Sequence, residues 1–386
     1  MRSGGKTGRV FRKLHRWPGL IAAVFMLFFG LTGIVLNHRE LFRRIDLPRA
    51  ALPGSYGYGG WRNNALRGDI VVTPDSLLLF GDIGVWAADA AISSCEPLNR
   101  GLPGGADGHK VYDLHGDGEG RLYAATLFGL FAFDGNAGAW EMLPIEGGSS
   151  RFVALESVGD TLYAMSRSRI FSGEAAGTDT RFAGVELEAP AKRRETVSLF
   201  RVVMEIHSGG ILGLPGRLLV DLLGLAAVFL SATGIVYFFL PGWIRRRKRR
   251  GAGAGGLTRI GRWSLAWHNR IGGWLFVLLA LVYLTGMFLR PPLLALIARV
   301  RVPASGPVSL AGAGPWHDSL RDLRYDPGRG LFYISTSRGM YELPRGSSVP
   351  KRCEVQPPVS VMGITAFEPA GGGAYLVGSF SGLFRW

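Results

Sequence analysis

At 386 residues the chain is too long for one compact core and implies more than one structural unit. Apolar residues make up 47% of it, and the formal net charge is +15. The charge does not mark a nucleic-acid binder, because it flanks apolar runs instead of forming a free basic face. Arg2, Lys6, Arg9, Arg12, Lys13, Arg16 and Arg39 precede any acid, and the run Arg245 to Arg250 with Arg259, Arg262 and Arg270 lies in an acid-free stretch.

In chain order, residues 1–17 read as a basic cytoplasmic N-terminus and 18–37 as a first spanning helix. The run Pro18 to Leu36 is followed by Asn37-His38-Arg39-Glu40 where a cleavage site would need small residues, so it reads as an uncleaved anchor. Residues 38–206 read as periplasmic. Residues 207–240 form an entry and second span over Leu218 to Leu240, 241–266 a basic cytoplasmic loop, 267–290 a third span, and 291–386 periplasmic chain again. Each apolar run holds 19 to 23 residues, enough to cross about 30 Å of hydrocarbon. Asp221 is the one charged residue within them. This topology puts the protein in a bacterial inner membrane with both larger soluble segments outside.

The soluble segments share a pattern: a short apolar strand, a small residue at position five, Gly at eight and an aromatic at ten. Its copies start at Leu77, Leu122, Leu162, Phe332 and Tyr375, with neighbours 45, 40 and 43 residues apart where no span intervenes. A period of this size made of short strands is the signature of propeller blades. The predicted fold is a three-span α-helical bundle plus an all-β periplasmic domain. That domain is read as a small propeller split by the membrane hairpin, three blades before it and two after; a pair of β-sandwiches is the alternative. Cys95 and Cys353 both fall outside the membrane, where a disulfide and two free thiols are equally compatible with the spacing.

Four of the seven histidines sit at span edges: His15 and His268 on the cytoplasmic side, His38 and His207 on the outer side. Two histidines at each of two levels is the arrangement expected for two haem b groups with paired imidazole ligands. His15 and His268 also share one pattern, H-x3-G-x12-T-G, through Gly19, Thr32-Gly33 and Gly272, Thr285-Gly286. Gly19 and Gly272 remove bulk one turn from each histidine, for a macrocycle or for close helix contact. The outer pair poses a difficulty, since His38 lies 23 positions from His15, about 34 Å along a straight helix. Ser208-Gly209-Gly210 and Leu214-Pro215-Gly216 also argue against one straight helix after His207. Trp17, Trp267 and Trp274 read as interface anchors or haem-edge residues. His109 and His317, each followed by aspartates, read as blade-turn residues before metal ligands. Gly251 to Gly256 reads as a linker.

Leu14-His15-Arg16-Trp17-Pro18-Gly19, Leu31-Thr32-Gly33, Ile206-His207-Ser208-Gly209 and the recurring Thr-Gly pairs resemble the PepSY-associated transmembrane proteins. The resemblance implies haem b, ligand roles for His15, His38, His207 and His268, and reduction of a periplasmic acceptor such as a ferric siderophore. The propeller-like repeats and the single span after the hairpin depart from that family's common pattern. No flavin or nicotinamide motif is present, so electrons would come from quinol or a separate cytoplasmic donor. The competing reading is a non-enzymatic sensor or assembly protein whose periplasmic domain binds a ligand or partner. Membrane lipid is a partner in either case.

Overall fold

The computed structural model describes residues 6–42, 45, 65–105, 107–147, 151–189, 196–303, 315–358, 363–379 and 382–386. Arg2 of the basic N-terminal cluster lies outside them, as do the side chains of Lys6, Arg9, Arg12, Lys13 and Arg39. The chain divides into a helical unit, Met1–Glu40 with Glu195–Ala311, and a β unit, Leu41–Arg194 with Gly312–Trp386.

The helices are α1 (Lys6–Asn37), α2 (Arg39–Phe42), α3 (Leu199–His207), α4 (Gly213–Arg249), α5 (Gly255–Phe288) and α6 (Leu294–Ile297). Among the described residues three segments are long and apolar enough to cross a membrane, His15–Asn37, Gly210–Arg249 and Gly255–Phe288, each with an 18-residue stretch of mean hydropathy 2.5, 2.1 and 2.1 respectively. These helices outrun the apolar runs at their basic ends. Arg246, Arg247, Lys248 and Arg249 occupy the last turn of α4, where cations meet the negative end of the helix dipole. Most of the stretch read as a loop is therefore helical, and only residues 250–254 connect α4 to α5. At the other end the chain breaks between α3 and α4 at Ser208-Gly209-Gly210, as expected, whereas Leu214-Pro215-Gly216 is helical and opens α4. A Cβ on Gly209 would sit 2.1 Å from the Gly216 carbonyl oxygen, so only glycine lets α3 turn so tightly into α4. Ser198 caps α3, its hydroxyl accepting the Arg201 N–H.

Helices α1 and α4 approach at glycines: a Cβ on Gly30 would lie 2.9 Å from the Gly224 carbonyl oxygen. Close backbone approach at small residues is how spanning helices associate without a hydrophobic drive. Leu223, Ala227 and Leu279, with Leu230, Leu275, Val282 and Tyr283, join α4 to α5.

The β unit is built of antiparallel meanders. The first is β1–β4 (Gly68–Thr73, Ser76–Gly81, Gly84–Asp89, Cys95–Pro97). The second is β5–β8 (Val111–Gly116, Leu122–Thr126, Leu130–Asp134, Ala139–Met142), and the third β9–β12 (Phe152–Val158, Thr161–Ser166, Ile170–Glu174, Ala183–Val185). A two-stranded ribbon, β13 (Thr196–Ser198) with β14 (Arg301–Pro303), belongs to the helical unit. After it come β15–β18 (Leu320–Asp326, Leu331–Thr336, Gly339–Pro344, Lys351–Arg352) and the three-stranded β19–β21 (Ile364–Pro369, Tyr375–Ser379, Gly382–Arg385).

The sequence repeat is the hairpin between the second and third strands of each sheet, and its chemistry is local. At position five Thr126, Ser166 and Thr336 each turn a hydroxyl onto the carbonyl three residues on, at 2.9, 3.1 and 2.7 Å. The same hydroxyls accept N–H groups from Phe128, Arg169 and Arg338, closing the turn. The glycine at position eight has φ of +93, +152, +119 and +132° at Gly84, Gly129, Gly339 and Gly382, a conformation that costs other residues energy. Arg169 stands there in the third copy.

Apolar clusters join each sheet to the next. Leu78, Phe80 and Val85 meet Val111, Leu114 and Phe131; Tyr123 and Leu130 meet Phe152, Leu155 and Phe171. Ala154, Met165 and Ile170 meet Leu320, Leu323 and Phe332, and Tyr333 and Met340 meet Ile364, Phe367 and Val377. Among the described residues no cluster joins the fifth sheet to the first. Cys95 and Cys353 are free thiols; burial pushes the Cys353 thiol up to about 12.

The first strands carry a set of charged residues in one register. His115, Glu156, Arg324 and Glu368 pair with Tyr123, Tyr163, Tyr333 and Leu376, the same rung in four sheets. Arg324 lies 4.0 Å from Glu156 and 3.9 Å from Glu368. The carboxylates also staple sheet to sheet: Leu155 N–H donates to Asp113 (2.8 Å) and Tyr325 N–H to Glu156 (3.2 Å). His115 Nε2 bonds Ser157 Oγ at 2.8 Å. Burial pushes Asp113 up to about 7 against the pull of Arg324, and lifts Glu156 to about 7. Burial, reinforced by Arg324, pushes His115 down to about 4.

These shifts set a pH dependence. Between about pH 4 and 7 the folded unit keeps carboxyl protons that the unfolded chain has released, so stability falls as pH rises through that window. His115 acts in the opposite sense between about 4 and 6.5, but one imidazole faces two carboxyls. Chemical denaturation of the full chain followed by tryptophan fluorescence should show a lower midpoint at pH 8 than at pH 5. Asp113→Asn should flatten that difference; an unchanged difference in the variant would contradict the assignment.

Candidate functional site at the histidines of the helical unit

The repeated H-x3-G pattern places His15 on α1 and His268 on α5 at one end of the helices, with α4 beside both. Their rings meet edge-on, with centroids 6.1 Å apart and planes inclined by 66°. His268 is held from α4: Thr233 Oγ1 lies 3.0 Å from its Nδ1. The same hydroxyl lies 2.8 Å from the Phe229 carbonyl oxygen and 3.1 Å from that of Leu230. When it donates to either carbonyl it accepts from His268, whose Nδ1 then carries the hydrogen and whose Nε2 keeps its lone pair. A Cβ on Gly234 would stand 3.5 Å from the His268 ring, in ordinary contact. Ser264 ties the same place together by donating to the Thr233 carbonyl at 3.1 Å.

A Cβ on Gly19 would lie 3.8 Å from His15 Nδ1, so this glycine does face its histidine; Gly272 instead faces Leu230 of α4, at 3.7 Å. The tryptophans stand away from the paired rings. Trp17 meets Phe238 edge-on at 5.0 Å, and Arg270 lies over Trp267 and Trp274 at 5.2 and 6.0 Å.

The two remaining histidines have different surroundings. His207 donates from Nδ1 to the Val282 carbonyl at 2.9 Å, with Thr285 Oγ1 at 3.4 Å, and its ring lies against Gly286. A carbonyl only accepts, so this histidine too presents Nε2 as a free lone pair. Each is thus cradled by a Thr-Gly pair: His268 by Thr233-Gly234, His207 by Thr285-Gly286. His38 instead places Nε2 at 2.6 Å from Asp221 Oδ2, while Asn37 Nδ2 donates to Oδ1 at 3.0 Å. As placed, His38 and His207 are bound to α4 and α5 respectively, and no contact joins them among the described residues. Asp221 is conspicuous in the sequence as an acid in an apolar run, yet nothing in the sequence assigned it a partner.

Gly286 is the tightest of these positions. A Cβ there would be 2.8 Å from His207 Cε1, whereas nothing lies within 4 Å of one at Gly33, the matching place in α1. Gly286→Ala should therefore cost about 1–3 kcal/mol through displacement of the ring. Gly33→Ala should leave the thermal midpoint unchanged, and equal midpoints for the two variants would contradict the cradle.

The aspartates beside His109 and His317 serve local structure. Asp117 holds Arg121 and the N–H groups of Glu119 and Arg121, Asp318 pairs with Arg167, and Asp326 accepts from Gly328 and Arg329. Among the described residues no group of three or more His, Cys, Asp or Glu side chains is placed to hold a metal ion.

At one level the residues present would suit a haem iron: His15 and His268 bring two imidazoles together with centroids 6.1 Å apart and would hold it between them. His268 is anchored at Nδ1 from α4, as metal-ligating histidines commonly are. His38 and His207 do not form such a pair.

Three spanning helices with a histidine pair between them, joined to a unit of antiparallel sheets, define a membrane protein with a large β portion. The model of the family described as the PepSY-associated TM region matches residues 1–240 and 195–344, and the chain belongs to that family. No curated protein matches it. Among solved structures it is similar to two chains from B. thetaiotaomicron. One, described as the extracellular domain of a one component system, is 10% identical, with 81% of this chain and 26% of that one covered at a TM-score of 0.38. The other, described as that of a hybrid two component system, is 11% identical, with 85% and 32% covered at 0.37. The chain spans about a quarter to a third of their length, and neither likeness bears on fold or activity.

Proposed function

We propose that the protein is an inner-membrane haem b protein that passes electrons to a periplasmic acceptor. The observation that carries this reading is the pairing of His15 and His268 at 6.1 Å, with His268 anchored to α4 at Thr233. Haem b bound between them supplies a one-electron carrier. His15 and His268 hold the iron, Thr233 orients one ring, and Gly19 and Gly234 leave room beside the rings. A second haem, at the level of His38 and His207, would require His38 to release Asp221. The donor is quinol or a separate cytoplasmic reductase, and the acceptor class suggested by the family resemblance is a ferric siderophore. The N-terminus and the α4–α5 connection face the cytoplasm in this reading, because they carry the basic residues. The β sheets are blades of a small propeller, supported by the common register of their first strands.

Proteoliposomes test it. With a reductant trapped inside and a membrane-impermeant ferric chelate outside, wild-type protein should carry electrons outward and His268→Ala should not. Chelate reduction at the rate of protein-free vesicles would sink the proposal. One observation favours the sensor reading: a cavity of about 270 Å³ between the third and fourth sheets, lined by Tyr163, Ile170, Leu323, Phe332 and Leu343 among others. It would hold a small apolar ligand, and a protein without haem that binds one there would support that reading.

A further inference from the structure

The basic end of the α4–α5 hairpin contains a groove that the electron-transfer reading does not use. It has a volume of about 370 Å³, and its apolar wall comes from Leu240, Pro241 and Ile244 of α4 and Leu265 of α5. Tyr237 also lines it, as does one arginine from each helix, Arg245 of α4 and Arg262 of α5. The two helices come together beside it, since a Cβ on Gly261 would lie 2.4 Å from Leu240 Cδ2. Glycine at that point lets α5 approach while Leu240 stays buried.

The two guanidiniums have no acidic partner within the hairpin's basic end, because residues 241–270 contain no Asp or Glu. Two cations from facing helices above an apolar wall are complementary to a molecule with an anionic head and an aliphatic tail. A spanning helix pair meets such molecules in the lipid around it, and basic pockets between spanning helices are suited to anionic headgroups. We propose that this groove is a binding site for an anionic phospholipid, with the phosphate between Arg245 and Arg262 and an acyl chain along Leu240, Ile244 and Leu265. Arg246 to Arg250 continue past the groove and supply only diffuse attraction to the same surface.

The test is lipid retention by the full-length protein, reconstituted in phosphatidylcholine nanodiscs containing phosphatidylglycerol, then released into detergent and weighed by native mass spectrometry. Wild type should retain phosphatidylglycerol over phosphatidylcholine. Arg245→Gln with Arg262→Gln should lower that retention about tenfold, as two headgroup contacts are lost. Arg249→Gln with Arg250→Gln, which removes equal charge outside the groove, should lower it far less. Ile244→Trp, which fills the groove and keeps both charges, should lower it as well. Equal losses in the two double variants would reduce the effect to general charge attraction and overturn the site. So would retention of phosphatidylcholine equal to phosphatidylglycerol, or of an isoprenoid quinone in their place.

Discussion

His268→Ala should abolish haem retention while leaving the helices associated. The ring hydrogen-bonds Thr233 and the Leu230 backbone of α4 and makes an edge contact to His15, whereas α4 and α5 are joined independently by Leu223, Ala227 and Leu279 and by Ser264 on the Thr233 carbonyl. Loss of the imidazole therefore removes the proposed iron ligand without removing the contacts that hold the span pair. Thr233→Val separates orientation from ligation. It keeps the shape of the side chain but deletes the hydroxyl that helps orient the ring through Nδ1, so haem affinity should drop about 10–100-fold instead of vanishing. The measurement is haem content per chain after purification, read beside the helical circular dichroism signal. Full haem content in His268→Ala would remove that residue from the site.

Phe171→Ala should destabilise the β unit by about 3–5 kcal/mol. Phe171 is fully buried and meets Phe152 of the same sheet at 5.5 Å, at the seam where the third sheet covers the second. Its neighbours Tyr123, Leu130, Leu155 and Leu162 are also fully buried, so they cannot collapse into the void without disturbing the ladders on both sides. A shift in the denaturation midpoint of the full chain reports the loss. A cost under about 1 kcal/mol would show that the second and third sheets do not share a tight seam.

Much of this molecule is legible in its sequence where one residue type recurs for one reason. Three apolar runs give three helices because hydrocarbon demands about 20 apolar residues. The β repeat is legible because Thr126, Ser166 and Thr336 perform the same turn closure and Gly84, Gly129, Gly339 and Gly382 the same positive φ. The shared H-x3-G spacing singles out His15 and His268, whose rings do meet.

Other features depend on geometry that no local pattern records. The helices extend through Arg249 and back to Gly255 because dense positive charge is compatible with a helix end, although it ends the apolar signal. The partner of His38 is Asp221, 183 residues away, and only the rotation of α1 against α4 decides that it meets a carboxylate. His115, Glu156, Arg324 and Glu368 share one rung of four sheets but not one side-chain type, so register relates them. Gly272 matches Gly19 in spacing yet faces Leu230, since α5 has a neighbour on that side and the pattern does not say which face it takes.

The measurement that bears most directly on the histidine pair is the low-temperature electron paramagnetic resonance spectrum of the oxidised full-length protein, wild type beside His15→Ala. Iron bonded by both imidazoles predicts a low-spin ferric signal in the wild type and its replacement by a high-spin signal, or by none, in the variant. A wild type without a ferric haem signal, or an identical low-spin signal from His15→Ala, would contradict the account.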